Sequence, residues 1–386
     1  MKKSILISGI TIADAVEESF TGDILVEDGK ISRAAEKIET KADIHVDAAG
    51  KNWTAFPGFI DVHIHGAAGH DAMDATPEAL SGLAGALPKE GTTSFLATTM
   101  TQTDTAISAA LENIRAFQPQ EGQAEILGVH LEGPFISDKR AGAQPIEHIA
   151  EPSYPLFQKW QKLSGDQIRL VTLAPETANG LSFIKSLAED GVIASIGHSD
   201  GTLEEVQAAV RSGASHVTHL YNQMSPFHHR NPGVVGAALT ENSLSVEVIA
   251  DFIHSHPTSV ELAFRQKGAE RLILITDAMR AKDLAPGVYD LGGQDVQVTK
   301  KDARLADGTL AGSILTMETA VKNIQSITGC SLNELVAMTS ANAAKELGFA
   351  NKGRLQAGAD ADVAILDDNF NVQMTICRGT IAYTKE

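Results

Sequence analysis

A chain of 386 residues with 31 Lys and Arg against 49 Asp and Glu carries a formal charge of −18, and no basic stripe interrupts it, so nucleic acid and anionic membranes are excluded as partners. Its 43% hydrophobic and 21% charged residues are those of a packed globular protein rather than a disordered one, with a length that best suits one large domain and one small one. No apolar run approaches the roughly 18 to 20 residues of a membrane span, and the run after Met1-Lys2-Lys3 lasts only about five residues, too short for a signal-peptide core. With only Cys330 and Cys377, far apart and without ligand spacing, the chain is expected to be cytoplasmic.

From residue 1 to about 55 the pattern is short and β-like: SILISGITIAD, then DILVEDGKISRAAE with a turn at Asp28-Gly29, then DIHVDAAG. Apolar runs then follow one another, each succeeded by helix-like sequence: 59–65, 93–100, 125–133, 168–176, 191–199, 215–222, 244–254 and 271–279. Eight such runs predict a (β/α)8 TIM barrel, whose strands are buried on both faces. Between them lie helix signals such as the capping box Thr202-Leu203-Glu204-Glu205. At the far end GADADVAILDDN and VQMTICRGTIAYT return to the β habit. The expected organisation is an α/β protein with the barrel over 56–355 and a small β-sandwich built from both termini, 1–55 and 356–386.

Ionisable groups gather at the ends of the runs. His63 and His65 end the first, Glu132 the third, His198 the fifth, His219 the sixth, His254 the seventh and Asp277 the eighth. The C-terminal strand ends of a TIM barrel meet on one face, so these groups point into one mouth. His63 and His65 stand two apart, which puts both side chains on the same face of a strand. Taken singly, any of these histidines reads as well as a satisfied core residue. Taken together they read as a metal site, because buried ionisable groups are costly unless paired or metal-bound. Imidazole and carboxylate without thiolate suit Zn²⁺ or Fe²⁺, and such a cation brings bound water toward a pKa of about 7. No GxSxG elbow offers a serine nucleophile, and neither cysteine ends a run.

The motifs PGFIDVHIHG (57–66), HLEGPF (130–135), IGHSD (196–200), HLYNQM (219–224), IADFIH (249–254), TDAM (276–279) and DGTLAGS (307–313) resemble the amidohydrolase superfamily and, within it, the N-acetylglucosamine-6-phosphate deacetylases. The resemblance runs over essentially the whole chain. It implies hydrolysis of an acetamide on an amino-sugar phosphate, with the galacto epimer, a deaminase or cyclic amidase, and a noncatalytic sensor as alternatives. It further implies one or two divalent cations per subunit on Glu132, His198 and His219 and on the pair His63 and His65, with Asp277 as general base and then acid. A homodimer is expected on the same ground. Sugar contacts carried over by position are Ala143, Asn222, Gln223, His254, Leu310, Ala311 and Gly312, with Arg230 on the phosphate. Gln144 departs from the pattern, since many relatives have His there; its amide can still donate to a hydroxyl.

Overall fold

The eight apolar runs supply the strands of a parallel barrel in the computed structural model, which describes residues 2–386. We label these strands β1 (Phe59–Ile64), β2 (Thr92–Thr98), β3 (Glu125–Glu132), β4 (Ile168–Leu173), β5 (Ile193–Ile196), β6 (His216–Val217), β7 (Ser245–Ile249) and β8 (Leu272–Ile275). Each pairs with the next in sequence. The ring is closed just past its last strand, where Ile64 bridges Ala278 and the Asp277 N–H donates to the His63 carbonyl at 2.8 Å.

One helix follows each strand: α1 (Pro77–Ala86), α2 (Asp104–Ala116), α3 (Tyr154–Leu163), α4 (Gly180–Glu189), α5 (Leu203–Ser212), α6 (Gly233–Thr240), α7 (Pro257–Lys267) and α8 (Met317–Thr328). Side-chain caps begin several of them, since the first turn of a helix leaves N–H groups without partners. Thr202 and Glu205 form the expected reciprocal capping box on α5, which ends at Gly213 with φ of 115°. Apolar faces of these helices, among them Leu83, Leu111, Trp160, Phe183, Val206 and Val260, pack on the strands in one continuous core. Each such side chain taken out of water contributes about 1.5 to 3 kcal/mol.

The terminal segments make a second sheet of eight strands. Thr54–Pro57 lies between Ile5–Ile12 and Val363–Leu366, which joins the two ends of the chain. Ile44–Asp47 and Thr54–Pro57 both run parallel to Ile5–Ile12 along different halves of it, so the sheet branches there. It encloses its own core around Ile7, Ile24, Ile31, Val363 and Ile376, as a small sandwich requires. No helix of the described residues is long and apolar enough to cross a membrane.

A third sheet has no counterpart in the expected pattern. Gly287–Leu291, Gln294–Val298 and Ala303–Arg304 form an antiparallel meander between β8 and α8, packed on Met100, Met279 and Ala311. Its first turn is Gly292-Gly293, with φ of 61° and 83°, the left-handed pair that a two-residue hairpin loop demands.

Candidate metal centre and active site

Strand ends deliver the ionisable groups, and most of them sit just beyond the last paired residue. His65, His198, His219 and Asp277 follow Ile64, Ile196, Val217 and Ile275, and three of them have left-handed backbones: His198 at φ 47°, His219 at 29° and Asp277 at 48°. Such conformations cost about 1 to 3 kcal/mol each for residues with a side chain, and they persist where the surroundings hold them. Here the turn aims each side chain inward instead of along the wall.

Glu132, fully buried at the end of β3, is the hub. Its Oε1 lies 3.2 Å from His198 Nε2, 3.2 Å from His219 Nε2 and 3.4 Å from His63 Nε2, and its Oε2 lies 3.2 Å from His65 Nε2. His198 Nε2 and His219 Nε2 are 3.1 Å apart. His198 Nδ1 donates to the Arg140 carbonyl at 2.8 Å, so the Nε2 of the neutral ring is a lone pair. That nitrogen, His219 Nε2 and the Glu132 carboxylate converge closely enough to hold a cation among them. Their separations are near the edge of about 3.3 to 3.4 Å that ligands at 2.0 to 2.1 Å make around a tetrahedral ion. A second trio, His63, His65 and Asp277, brings its ligand atoms within 4.8 Å of one another, and His63 Nε2 and His65 Nδ1 are buried without a hydrogen-bond partner. The two histidines leave β1 on the same side, with ring centroids 5.4 Å apart.

Electrostatics follow from this crowding. Burial pushes the Glu132 carboxyl up, but the neighbouring His63, His198 and His219 outweigh it and hold it well below the usual range. Asp277 behaves likewise: burial raises it, and the neighbouring His63 and His65 bring it below its ordinary value. For His65 burial alone would lower the imidazole, yet hydrogen bonds to Asp277 and Glu132 push it up to about 10. In metal-free protein a proton thus takes the cation's place. A histidine raised above its unfolded value of about 6.5 stabilises the fold fully below that pH, and the contribution is lost as pH rises through the folded value. Chelator-treated protein should therefore show a urea midpoint that falls from about pH 7 to 10 more steeply than that of zinc-saturated protein. Parallel curves for the two forms would contradict this.

The centre lies at the foot of a cavity of about 350 Å³, within the range of small-ligand sites. Ala143, Gln144, Asn222, Gln223, His254, Leu310 and Gly312 line it with Asp277, His65, Glu132, His198 and His219. His63 is buried beneath it, and Ala311 is turned into the core of the three-stranded sheet. Gly312 has φ of 60°, and a Cβ there would stand 3.1 Å from the Asp277 carbonyl oxygen, so the LAGS segment closes on β8 only with glycine. Gln144 Oε1 accepts the Thr101 N–H and its Nε2 donates to Glu132 Oε2, both at 2.7 Å. That fixes which way the amide faces and ties its side chain to Glu132. His254 lies five residues beyond the end of β7, because Asp251 Oδ1 accepts the N–H groups of Ile253 and His254 and turns the chain. Asp251 Oδ2 then takes His254 Nδ1–H at 2.7 Å.

Arg230 stands apart from the cavity. It is exposed on the loop before α6, donating to His229 Nε2 at 2.7 Å. The one arginine or lysine lining the cavity, among the described residues, is Arg304, bound to Asp302 at 2.6 Å. Arg304 and Leu291 come from the three-stranded sheet, and the Gly292-Gly293 turn between alternating segments is the signal that could have found it.

A barrel with its histidines, glutamate and aspartate at these strand ends is the architecture of metal-dependent hydrolases. The sequence profile of the amidohydrolase family matches residues 54–382, and the chain belongs to that family. Its similarity there is to the N-acetylglucosamine-6-phosphate deacetylases. That of Lysinibacillus sphaericus is 51% identical, over 98% of this chain and 97% of its own. That of Bacillus subtilis (strain 168) is 48% identical, over 99% and 98%. A mutant of the Mycobacterium smegmatis N-acetyl-D-glucosamine-6-phosphate deacetylase, solved in complex with N-acetyl-D-glucosamine 6-phosphate, superposes with a TM-score of 0.91 at 29% identity, covering 99% of this chain and 100% of that one.

Proposed function

We propose that the chain hydrolyses the acetamide of N-acetyl-D-glucosamine 6-phosphate to D-glucosamine 6-phosphate and acetate. The observation that carries this reading is the convergence of Glu132, His198 and His219 beside Asp277 at the foot of a cavity sized for one sugar. A divalent cation, Zn²⁺ or Fe²⁺, on the first trio supplies polarisation of the acetamide carbonyl and a water acidic enough to attack at neutral pH. His63 and His65, beside Asp277, would hold a second.

Asp277 has its Oδ1 on the histidine side, 3.3 Å from His65 Nε2. Held ionised, it accepts the proton of the attacking water and then gives it to the amide nitrogen as the C–N bond breaks. Water thus supplies the acetate oxygen, and its proton leaves on the amine. His254, oriented by Asp251, and the side chains of Asn222 and Gln223 face the sugar. The enzyme works as a cytoplasmic homodimer.

Acetate release from the gluco phosphate, its galacto epimer and unphosphorylated N-acetylglucosamine tests the assignment. The gluco phosphate should give the highest kcat/KM, and no acetate from either phosphate would sink it. Arg230 is the phosphate ligand, reached by movement of its loop or from a second copy of the chain. Arg230→Ala should weaken binding of the phosphorylated sugar by about 1.5 to 3 kcal/mol, the worth of a charge-assisted contact, and spare the unphosphorylated one. If Arg304→Ala shows that selectivity and Arg230→Ala does not, the phosphate belongs to Arg304.

A further inference from the structure

Glu247 is an unusual residue for its place. It lies in the middle of β7, in the sequence SVEVI, and is completely buried inside the barrel. A carboxylate there is expensive unless every lone pair is engaged. Both of its oxygens are. Oε2 accepts His63 Nδ1–H at 2.9 Å and the His219 backbone N–H at 3.0 Å, and Oε1 accepts His216 Nε2–H at 3.1 Å. A carboxylate only accepts, so these contacts place a proton on His63 Nδ1 and leave Nε2 to face Glu132 Oε1 and Asp277 Oδ1, at 3.4 and 3.5 Å.

The two bonds on Oε2 reach different ligand sets. His63 belongs with His65 and Asp277, and His219 with Glu132 and His198. His219 is also the ligand with a φ of only 29°, so the bond to its N–H holds a strained turn. The His63 ring also meets the edge of His130, at 4.5 Å between centroids. That imidazole is itself pinned by the Val62 carbonyl and Thr172 Oγ1, so it offers His63 no acceptor. The anchor extends outward, because His216 Nδ1 donates to Glu346 Oε2 at 2.8 Å, and Glu346 lies on the helix Asn342–Glu346 outside the barrel.

We propose that Glu247 is a positioning residue for the metal centre, one carboxylate that fixes the His63 tautomer and the His219 backbone together and so sets the spacing of the two ligand sets. The proposal rests on the reading that both sets hold a cation. Glu247→Gln keeps the shape but puts an amide N–H₂ where one of the three donors now finds an oxygen. Removing an outer partner of a metal-bound histidine weakens the metal by roughly 10- to 100-fold.

The test is cobalt titration of metal-stripped protein, followed by the visible spectrum and by calorimetry. Wild type should take up two ions. Glu247→Gln should weaken the site carrying His63 by roughly 10- to 100-fold with an altered cobalt spectrum, and Glu247→Asp should recover part of the loss. Should Glu247→Gln fail to fold, Glu346→Gln loosens the same chain one link further out and should shift the same site in the same direction by less. Unchanged cobalt affinities and spectra in whichever of these variants folds overturn the proposal, even if the melting temperature falls. If wild type takes up only one ion, the two-cation reading fails. The proposal is then decided at that one site, where an unaltered affinity in the variant overturns it as well.

Discussion

Asp277→Asn should leave metal and substrate bound and slow the chemical step by roughly 10²- to 10⁴-fold, the scale of general acid–base catalysis. The side chain is delivered by the turn after β8, 3.3 Å from His65 Nε2, and is held ionised by His63 and His65 against the cost of burial. An amide of the same size keeps the shape and much of the hydrogen bonding but cannot take the water's proton. Because an amine leaves poorly without a proton, the acetamide should suffer more than an activated ester that departs unprotonated. Turnover, metal content and ligand affinity on the one variant check this. Near-normal turnover would remove Asp277 from the mechanism, and joint loss of metal and activity would make it a ligand instead.

Glu132→Ala should be still more damaging, since a single carboxylate faces both ligand sets: Oε1 toward His63, His198 and His219, Oε2 toward His65 and the Gln144 amide. Its loss leaves four imidazoles without the anion that gathers them. Metal content should drop, and with it several kcal/mol of transition-state stabilisation, so turnover should fall by roughly 10³-fold or more. Elemental analysis beside kcat decides it, and a variant that keeps its full metal would show that the histidines suffice.

What could be read in the sequence was whatever depends on strand ends. Continuous apolar runs mark buried parallel strands, and a histidine, glutamate or aspartate closing such a run has one place to go. That is why His63, His65, Glu132, His198, His219 and Asp277 come together in the structure as the run ends predict. Glu247 stayed hidden for the opposite reason. A glutamate inside SVEVI reads as an outward position on an alternating strand, and its partners His63 and Glu346, through His216, are remote in sequence. The run 244–254 puts His254 at a strand end, whereas the Asp251 turn carries it five residues past one. The three-stranded sheet that brings Arg304 to the cavity is polar and short, with only the Gly292-Gly293 turn to announce it. Arg230 shows where position in a motif stops short of geometry: its loop is in the sequence, but its exposure outside the cavity belongs to the fold.

Acetamide hydrolysis here should run on a cation gathered by Glu132, His198 and His219. The measurement that reaches it most directly is acetate release from N-acetyl-D-glucosamine 6-phosphate by protein stripped of metal and then reloaded stepwise with zinc or ferrous ion, with metal content determined on every sample. Release should be absent at the start and should rise in proportion to bound metal. Full release by protein verified to be metal-free would contradict the account.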